Sequence, residues 1–152
     1  MAAKSATPTP ATPAPDYGDD VTLYPKFDLL PIKEELLRGI YSFGFEQPSM
    51  VQQKAIVPIL TGRDVIVQAQ SGTGKTGAFT IGMLERIDTK LKACQAIILS
   101  PTRELAMQSH SVVTALSEYM DIVAHCAIGG TSVSDEGKIL ARGVHVLSLI
   151  HI

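Results

Sequence analysis

The strongest constraint on this chain is one turn, Ala69-Gln70-Ser71-Gly72-Thr73-Gly74-Lys75-Thr76, set between an apolar run and an amphipathic segment. Glycines at 72 and 74 let backbone N–H groups turn toward an anion where a Cβ would obstruct them. A helix beginning at Lys75 would aim its positive end at the same point. Lys75 would then reach terminal phosphates, and the Thr76 hydroxyl would enter the shell of a Mg²⁺. The first glycine of the general Gly-x-x-x-x-Gly-Lys-Ser/Thr pattern is Ala69 here, a departure from the strict form. The turn predicts nucleotide phosphate binding and names no substrate. The alternative is a plain glycine-rich surface turn, against which the flanking elements argue.

Those elements set the fold class. Asp64-Val65-Ile66-Val67 enters the turn without alternation, as a strand buried on both faces of a parallel sheet does. Ala96 to Leu99, Ile122 to Ile128 and Val144 onward have the same character. Helical stretches separate them: Lys75 to Ile87, Thr102 to Met120 with Leu105, Val112, Val113 and Leu116 on one face, and Ser134 to Leu140. Two short helices precede the turn. Lys33 to Phe43 groups Leu36, Leu37 and Ile40, and Gly44 is placed to end it with a positive φ. Pro48-Ser49 opens the second, which runs through Met50, Ile56 and Val57 to Leu60 and closes at Thr61-Gly62. Alternating strands and helices predict an α/β parallel sheet with right-handed crossovers.

Composition excludes several classes. At 152 residues and 45% apolar content the chain suits one domain with one core. A formal charge of −2 gives no electrostatic sign of a nucleic-acid binder. Cys94 and Cys126 stand far apart, which argues against a zinc site or a disulfide scaffold and for a reducing compartment. His110, His125, His145 and His151 share no metal-ligand spacing. Asp135-Glu136 opens a helix, where the dipole favours acids, so a structural role is expected of it. Met1 to Pro15 lacks the apolar centre of a secretory signal, and no run is long enough to span a bilayer. A soluble protein of cytoplasm or nucleus, without a membrane partner, is expected. Residues 1–20, rich in Ala, Thr, Pro and Asp, are expected to form a disordered tail.

Three further stretches carry a family resemblance. Gly44-Phe45-Glu46-Gln47-Pro48-Ser49-Met50-Val51-Gln52 resembles the Q motif of DEAD-box RNA helicases. Pro101-Thr102-Arg103-Glu104-Leu105-Ala106 resembles their motif Ia, and Gly129-Gly130 their GG motif. Phe27 stands where that family has an isolated upstream aromatic. With the phosphate turn in register the resemblance covers roughly Phe27 to His145 and is nearest the translation initiation factor four-A subgroup. It implies a P-loop, RecA-like parallel sheet, here incomplete. A Q-motif region over residues 25–53 would lead into a partial helicase ATP-binding domain over 54–146.

The resemblance also implies roles, with ATP and Mg²⁺ as cofactors. Gln52 would read the adenine N6 and N7 with its amide, since that group offers one acceptor and a donor pair. Phe27 would stack on the adenine face. Ala69, Gln70, Ser71, Gly72, Thr73 and Gly74 would cradle phosphates, and Lys75 and Thr76 would serve catalysis, Thr76 meeting the metal through the nucleotide. Pro101, Thr102, Arg103, Gly129 and Gly130 would hold the backbone of single-stranded RNA or a short duplex without reading its sequence. Protein partners of the initiation-factor type are implied as well. Without the resemblance, Gln52 reads as a polar residue at a helix start and Phe27 as a core aromatic. Pro101 would simply open a helix, with Arg103 beside an exposed acid.

Hydrolysis needs carboxylates to place Mg²⁺ and water, and arginines to offset transition-state charge. DEAD-box proteins are expected to supply these from an Asp-Glu-Ala-Asp sequence, a Ser-Ala-Thr motif and a second RecA-like domain, and none follows the phosphate turn here. The strands flanking the phosphate-turn strand are expected from the same missing part, leaving its backbone groups unpaired. Leu147 to Ile152 departs from the family's continuation and resembles a translated sequencing-library adaptor. Residues 147–152 are therefore expected to be non-native, with a divergent C-terminal strand as the alternative. The chain reads as an N-terminal piece of an ATP-dependent RNA helicase, inactive alone. Two rivals are a non-catalytic competitor for RNA or helicase partners, and another P-loop enzyme such as a small-molecule kinase. The second rival has no account of Gln52 or of Pro101 to Ala106.

Overall fold

Helix starts in the computed structural model, which describes residues 22–130 and 132–151, follow the capping chemistry of the sequence. The expected tail over residues 1–20 lies outside the described residues. Phe27–Leu29 makes one 3-10 turn, and α1 (Glu34–Ser42) follows with Glu34 and Glu35 in its first turn, where the dipole favours acids. Gly44, at φ 96°, turns the chain out of it. The second helix, α2 (Met50–Leu60), opens on a capping box. Ser49 Oγ accepts from the Gln52 N–H at 3.3 Å, and Gln52 Oε1 accepts from the Ser49 N–H at 2.8 Å. Gly74, at φ 90°, precedes α3 (Lys75–Arg86). Then come β1 (Ala96–Ser100), α4 (Arg103–Leu116), β2 (Ala124–Ala127), α5 (Val133–Ala141) and β3 (Val146–Ile150).

The three strands form a parallel sheet in the order β1-β3-β2, with Val146 level with both Ala96 and Ala124. Residues 146–150 thus supply the central strand, as an apolar, β-favouring Val-Leu-Ser-Leu-Ile segment can whatever its origin. Helix α4 lies on all three strands, α3 packs on α4, α2 on α3, and α1 closes over α3 and α4. Phe27, Leu36, Ile40, Ile56, Ile81 and Leu116 are fully buried between them. Ser148 in β3 donates to the Ala106 carbonyl at 2.9 Å, so the buried hydroxyl in the middle strand is satisfied by α4. Gly39 lets α1 cross the last turn of α4 with backbone against backbone at Leu116.

The structure corrects five expectations. Asp64–Val67 is not a strand. A strand exists only through its ladder, no described strand lies beside this segment, and Ile66 stands 97% exposed. Burial on both faces also fails for β1, whose Ile97 and Leu99 are 61% and 64% exposed while Ala96 and Ile98 face the core. The inward face of α4 is Ala106, Ser109, Val113 and Leu116, and Leu105 points outward. Leu105 keeps helical spacing with Leu116 but lies in the first turn of α4, where it is exposed. This helix ends at Leu116, short of Met120, and β2 occupies only the middle of the expected Ile122 to Ile128 run.

Candidate functional site

The phosphate turn and the start of α2 are joined by hydrogen bonds. Ser49 Oγ donates to the Thr73 carbonyl at 2.8 Å while accepting from the Gln52 N–H. Gln52 is 3% exposed, and its Nε2 lies 3.4 Å from the Gly74 carbonyl. Both ends of its amide are therefore engaged, one within the capping box and one against the turn. The approach is close: a Cβ at Gly74 would lie 2.8 Å from Gln52 Nε2 and 3.2 Å from Ser49 Oγ. Gly74 serves twice, through its left-handed φ of 90° and through its missing side chain.

Within the turn, Lys75 Nζ donates to the Ala69 carbonyl at 2.6 Å and the Gln70 carbonyl at 2.5 Å. Thr73 Oγ1 also donates to the Gln70 carbonyl, at 2.8 Å. The loop is folded around its own ammonium, which holds a positive charge at the mouth of α3. The first N–H groups of α3 are unpaired within the helix and point to the same place. Phosphate oxygens can replace the two carbonyls as acceptors for Lys75, so the donor set fits an anionic group. The Thr76 side chain is half-buried in the first turn of α3, and its oxygen is of the hard type Mg²⁺ prefers. Among the described residues no cluster of three or more His, Cys, Asp or Glu could hold a metal ion by itself.

Phe27 lies in the core at the entry to α1. The ring is fully buried, edge-on to Tyr41 with centroids 6.4 Å apart and stacked on Phe45 at 6.2 Å. In this arrangement the ring packs as a core aromatic. Burying so large an apolar ring stabilises the entry to α1.

Pro101, Thr102 and Arg103 are all exposed at the junction of β1 and α4. Thr102 Oγ1 accepts from the Leu105 N–H at 3.3 Å, a cap that leaves earlier N–H groups of the helix open. Gly129 and Gly130 follow β2, exposed and with φ of 74° and 85°. The Arg103 guanidinium comes 4.0 Å from the point a Gly130 Cβ would occupy. The two stretches, distant in sequence, therefore meet at one end of the sheet.

Sequence reasoning missed the partner of Glu136. Its carboxylate accepts from His125 Nε2 at 2.5 Å, joining α5 to β2, while Asp135 pairs with Lys138 at 3.0 Å on the surface. No spacing rule links a strand residue to a helix residue across a glycine turn. Next to His125, burial pushes the Cys126 thiol above the ordinary cysteine value, with Ser148 and Arg103 acting against that shift.

The family model described as DEAD/DEAH box helicase matches residues 49–151. Eukaryotic initiation factor 4A of Drosophila melanogaster is 57% identical over 125 residues, which cover 82% of this chain and 31% of the fly protein. The ATP-dependent RNA helicase FAL1 of Mycosarcoma maydis is 55% identical over 133 residues, 88% of this chain and 34% of that protein. The chain spans about a third of the length of these curated relatives. Among solved structures, a DEAD box protein from Methanococcus jannaschii superimposes with a TM-score of 0.80 at 29% identity, over 85% of this chain and 35% of that one. A point variant of Dbp5 from S. cerevisiae, bound to RNA and ADP BeF3, gives 0.73 at 34% identity, over 84% and 32%. The described sheet and helices are thus part of a RecA-like domain, and no helix among the described residues is long and apolar enough to cross a membrane.

Proposed function

The chain belongs to the DEAD/DEAH box helicase family, and from that premise we propose that it supplies the adenine-nucleotide and RNA-binding surfaces of an ATP-dependent RNA helicase. The observation that carries this reading is the direct bonding of Ser49 and Gln52 to the phosphate turn at Thr73 and Gly74. It couples the side chain suited to an adenine edge with the loop suited to phosphates. On this reading Gln52 exchanges its Gly74 contact for the base, and Lys75 exchanges the Ala69 and Gln70 carbonyls for phosphate oxygens. Thr76 would hold Mg²⁺, which would supply charge neutralisation at the phosphates. Pro101, Thr102, Arg103, Gly129 and Gly130 take up RNA phosphates through open N–H groups and one guanidinium, which needs no basic composition. Residues 25–53 and 54–146 are the corresponding Q-motif region and partial ATP-binding domain.

These 152 residues hold no Asp-Glu-Ala-Asp sequence, so the carboxylates that would place a water are not among them. Binding without turnover is the expected behaviour of this stretch by itself. The test is competition of ADP and GDP for a fluorescent adenine nucleotide. A bidentate amide contact is worth about 1–3 kcal/mol of base discrimination, so Gln52→Ala should reduce the ADP preference by about tenfold while Lys75→Ala weakens both nucleotides alike. A preference that survives Gln52→Ala would overturn the assignment.

A further inference from the structure

We infer that His125 and Glu136 form a positioning pair that holds the Gly129-Gly130 turn in the shape that receives an RNA phosphate; the inference rests on the RNA reading of that turn. Helix α5 buries no side chain fully, so apolar packing gives it little hold on the sheet. What ties it down is polar. His125 lies in β2 just before the turn, Glu136 lies in the first turn of α5 just after it, and the bond between them spans the base of the loop. The two side chains are only 20% and 19% exposed, which shields the contact from water, and a carboxylate acceptor makes it charge-assisted.

The turn needs such a clasp. Gly129 and Gly130 both adopt left-handed φ values, a conformation glycine permits but does not impose, because its backbone is the least restricted of all residues. Two free glycines between a short strand and a loosely packed helix would sample many shapes, and fixing the ends of a loop reduces that freedom. Arg103 waits beside Gly130, so displacing the turn would also separate the two halves of the proposed phosphate site. Lys138, on the same helix, is engaged by Asp135. His125 and Glu136 touch no RNA on this account; they act through the glycines.

The test is binding of an end-labelled short oligouridylate to the full chain, with ADP affinity and melting temperature measured beside it. His125→Ala and Glu136→Ala should each weaken the oligouridylate by about fivefold, and the double variant by no more than either alone, as members of one interaction do. Glu136→Gln, which keeps an acceptor, should restore most of the affinity, and ADP binding should not move. If both alanine variants bind the oligouridylate normally while Arg103→Ala abolishes binding, the clasp is refuted and the RNA reading stands. If Arg103→Ala has no effect, or the parent chain binds no oligouridylate, the RNA reading fails and the clasp with it. A parallel fall in oligouridylate binding, ADP binding and melting temperature in every variant, Glu136→Gln included, would mean general loosening and would also refute it.

Discussion

Replacing Gly39 by alanine tests the crossing of α1 over α4 directly. A methyl built at Gly39 would lie 2.8 Å from the Leu116 carbonyl carbon, 3.3 Å from its Cα, and inside contact distance of its oxygen. All three atoms are backbone in the last turn of α4, so no side-chain rotation relieves the overlap. Overpacking of a well-filled interface costs about 1–3 kcal/mol, and pressing on rigid backbone puts this case at or slightly beyond the upper end. Alanine returns about 1 kcal/mol through its better helix propensity. The net loss is then about 2 kcal/mol, or a fall of about 4–8 °C in Tm for a chain of this size. The helices can separate only by disturbing Arg38, which sits 4.7 Å over the Tyr119 ring, and the 3.0 Å contact of Ser42 with the Tyr119 hydroxyl. Urea denaturation followed by circular dichroism would measure the loss. Gly137→Ala is the control: nothing lies within 4 Å of its missing Cβ, so the same exchange in α5 should stabilise by about 0.5–1 kcal/mol. If Gly39→Ala matches the parent, or the two variants shift together, the close crossing is wrong.

Three further outcomes are expected. Ser49→Ala removes both the cap of α2 and the donor to Thr73, and should cost about 1 kcal/mol of stability in denaturant melts; an unchanged midpoint would refute the bridge. Tyr41 donates to the Asp28 carboxylate, and that hydrogen bond, with desolvation and the Asp28 charge, raises its pKa above the usual 10.0. A raised folded-state value means the stabilisation is intact below the unfolded pKa and is lost as pH climbs through the folded one. Ultraviolet titration should show Tyr41→Phe deleting a late-ionising tyrosine, and deletion of an ordinary one would contradict this. Cys94 is exposed whereas burial holds the Cys126 thiol protonated, so iodoacetamide at neutral pH should label Cys94 well before Cys126; equal rates would refute the difference.

Local signals in the sequence were read correctly where they act locally. Ser49 caps α2 because its hydroxyl reaches the N–H group three residues on, a distance set by the chain itself. The turn from Gly72 to Lys75 opens a helix because glycine tolerates the left-handed φ at 74. The association of the Q-like stretch with the phosphate turn was implied by resemblance, and the contacts through Ser49 and Gln52 appeared only with the fold. Leu105 was misassigned because four apolar residues in a helix allow more than one face, and what α4 packs against makes the choice. Phe27 shows the same ambiguity, since an aromatic before a helix looks alike in sequence whether it lines a pocket or fills a core.

What the sequence by itself determined is where the helices start, to within about a residue, and the donor groups of the phosphate turn, consequences of neighbours within a few residues. What only the tertiary structure decided is which groups far apart in the chain meet. Arg103 beside Gly130, Glu136 on His125 and Gly39 against Leu116 depend on the order β1-β3-β2 and on helix crossings that no spacing encodes. The segment Asp64–Val67 shows the limit most plainly. Its residues favour a strand, but a strand is a property of a pair, and without a described neighbour to accept its N–H groups it is none.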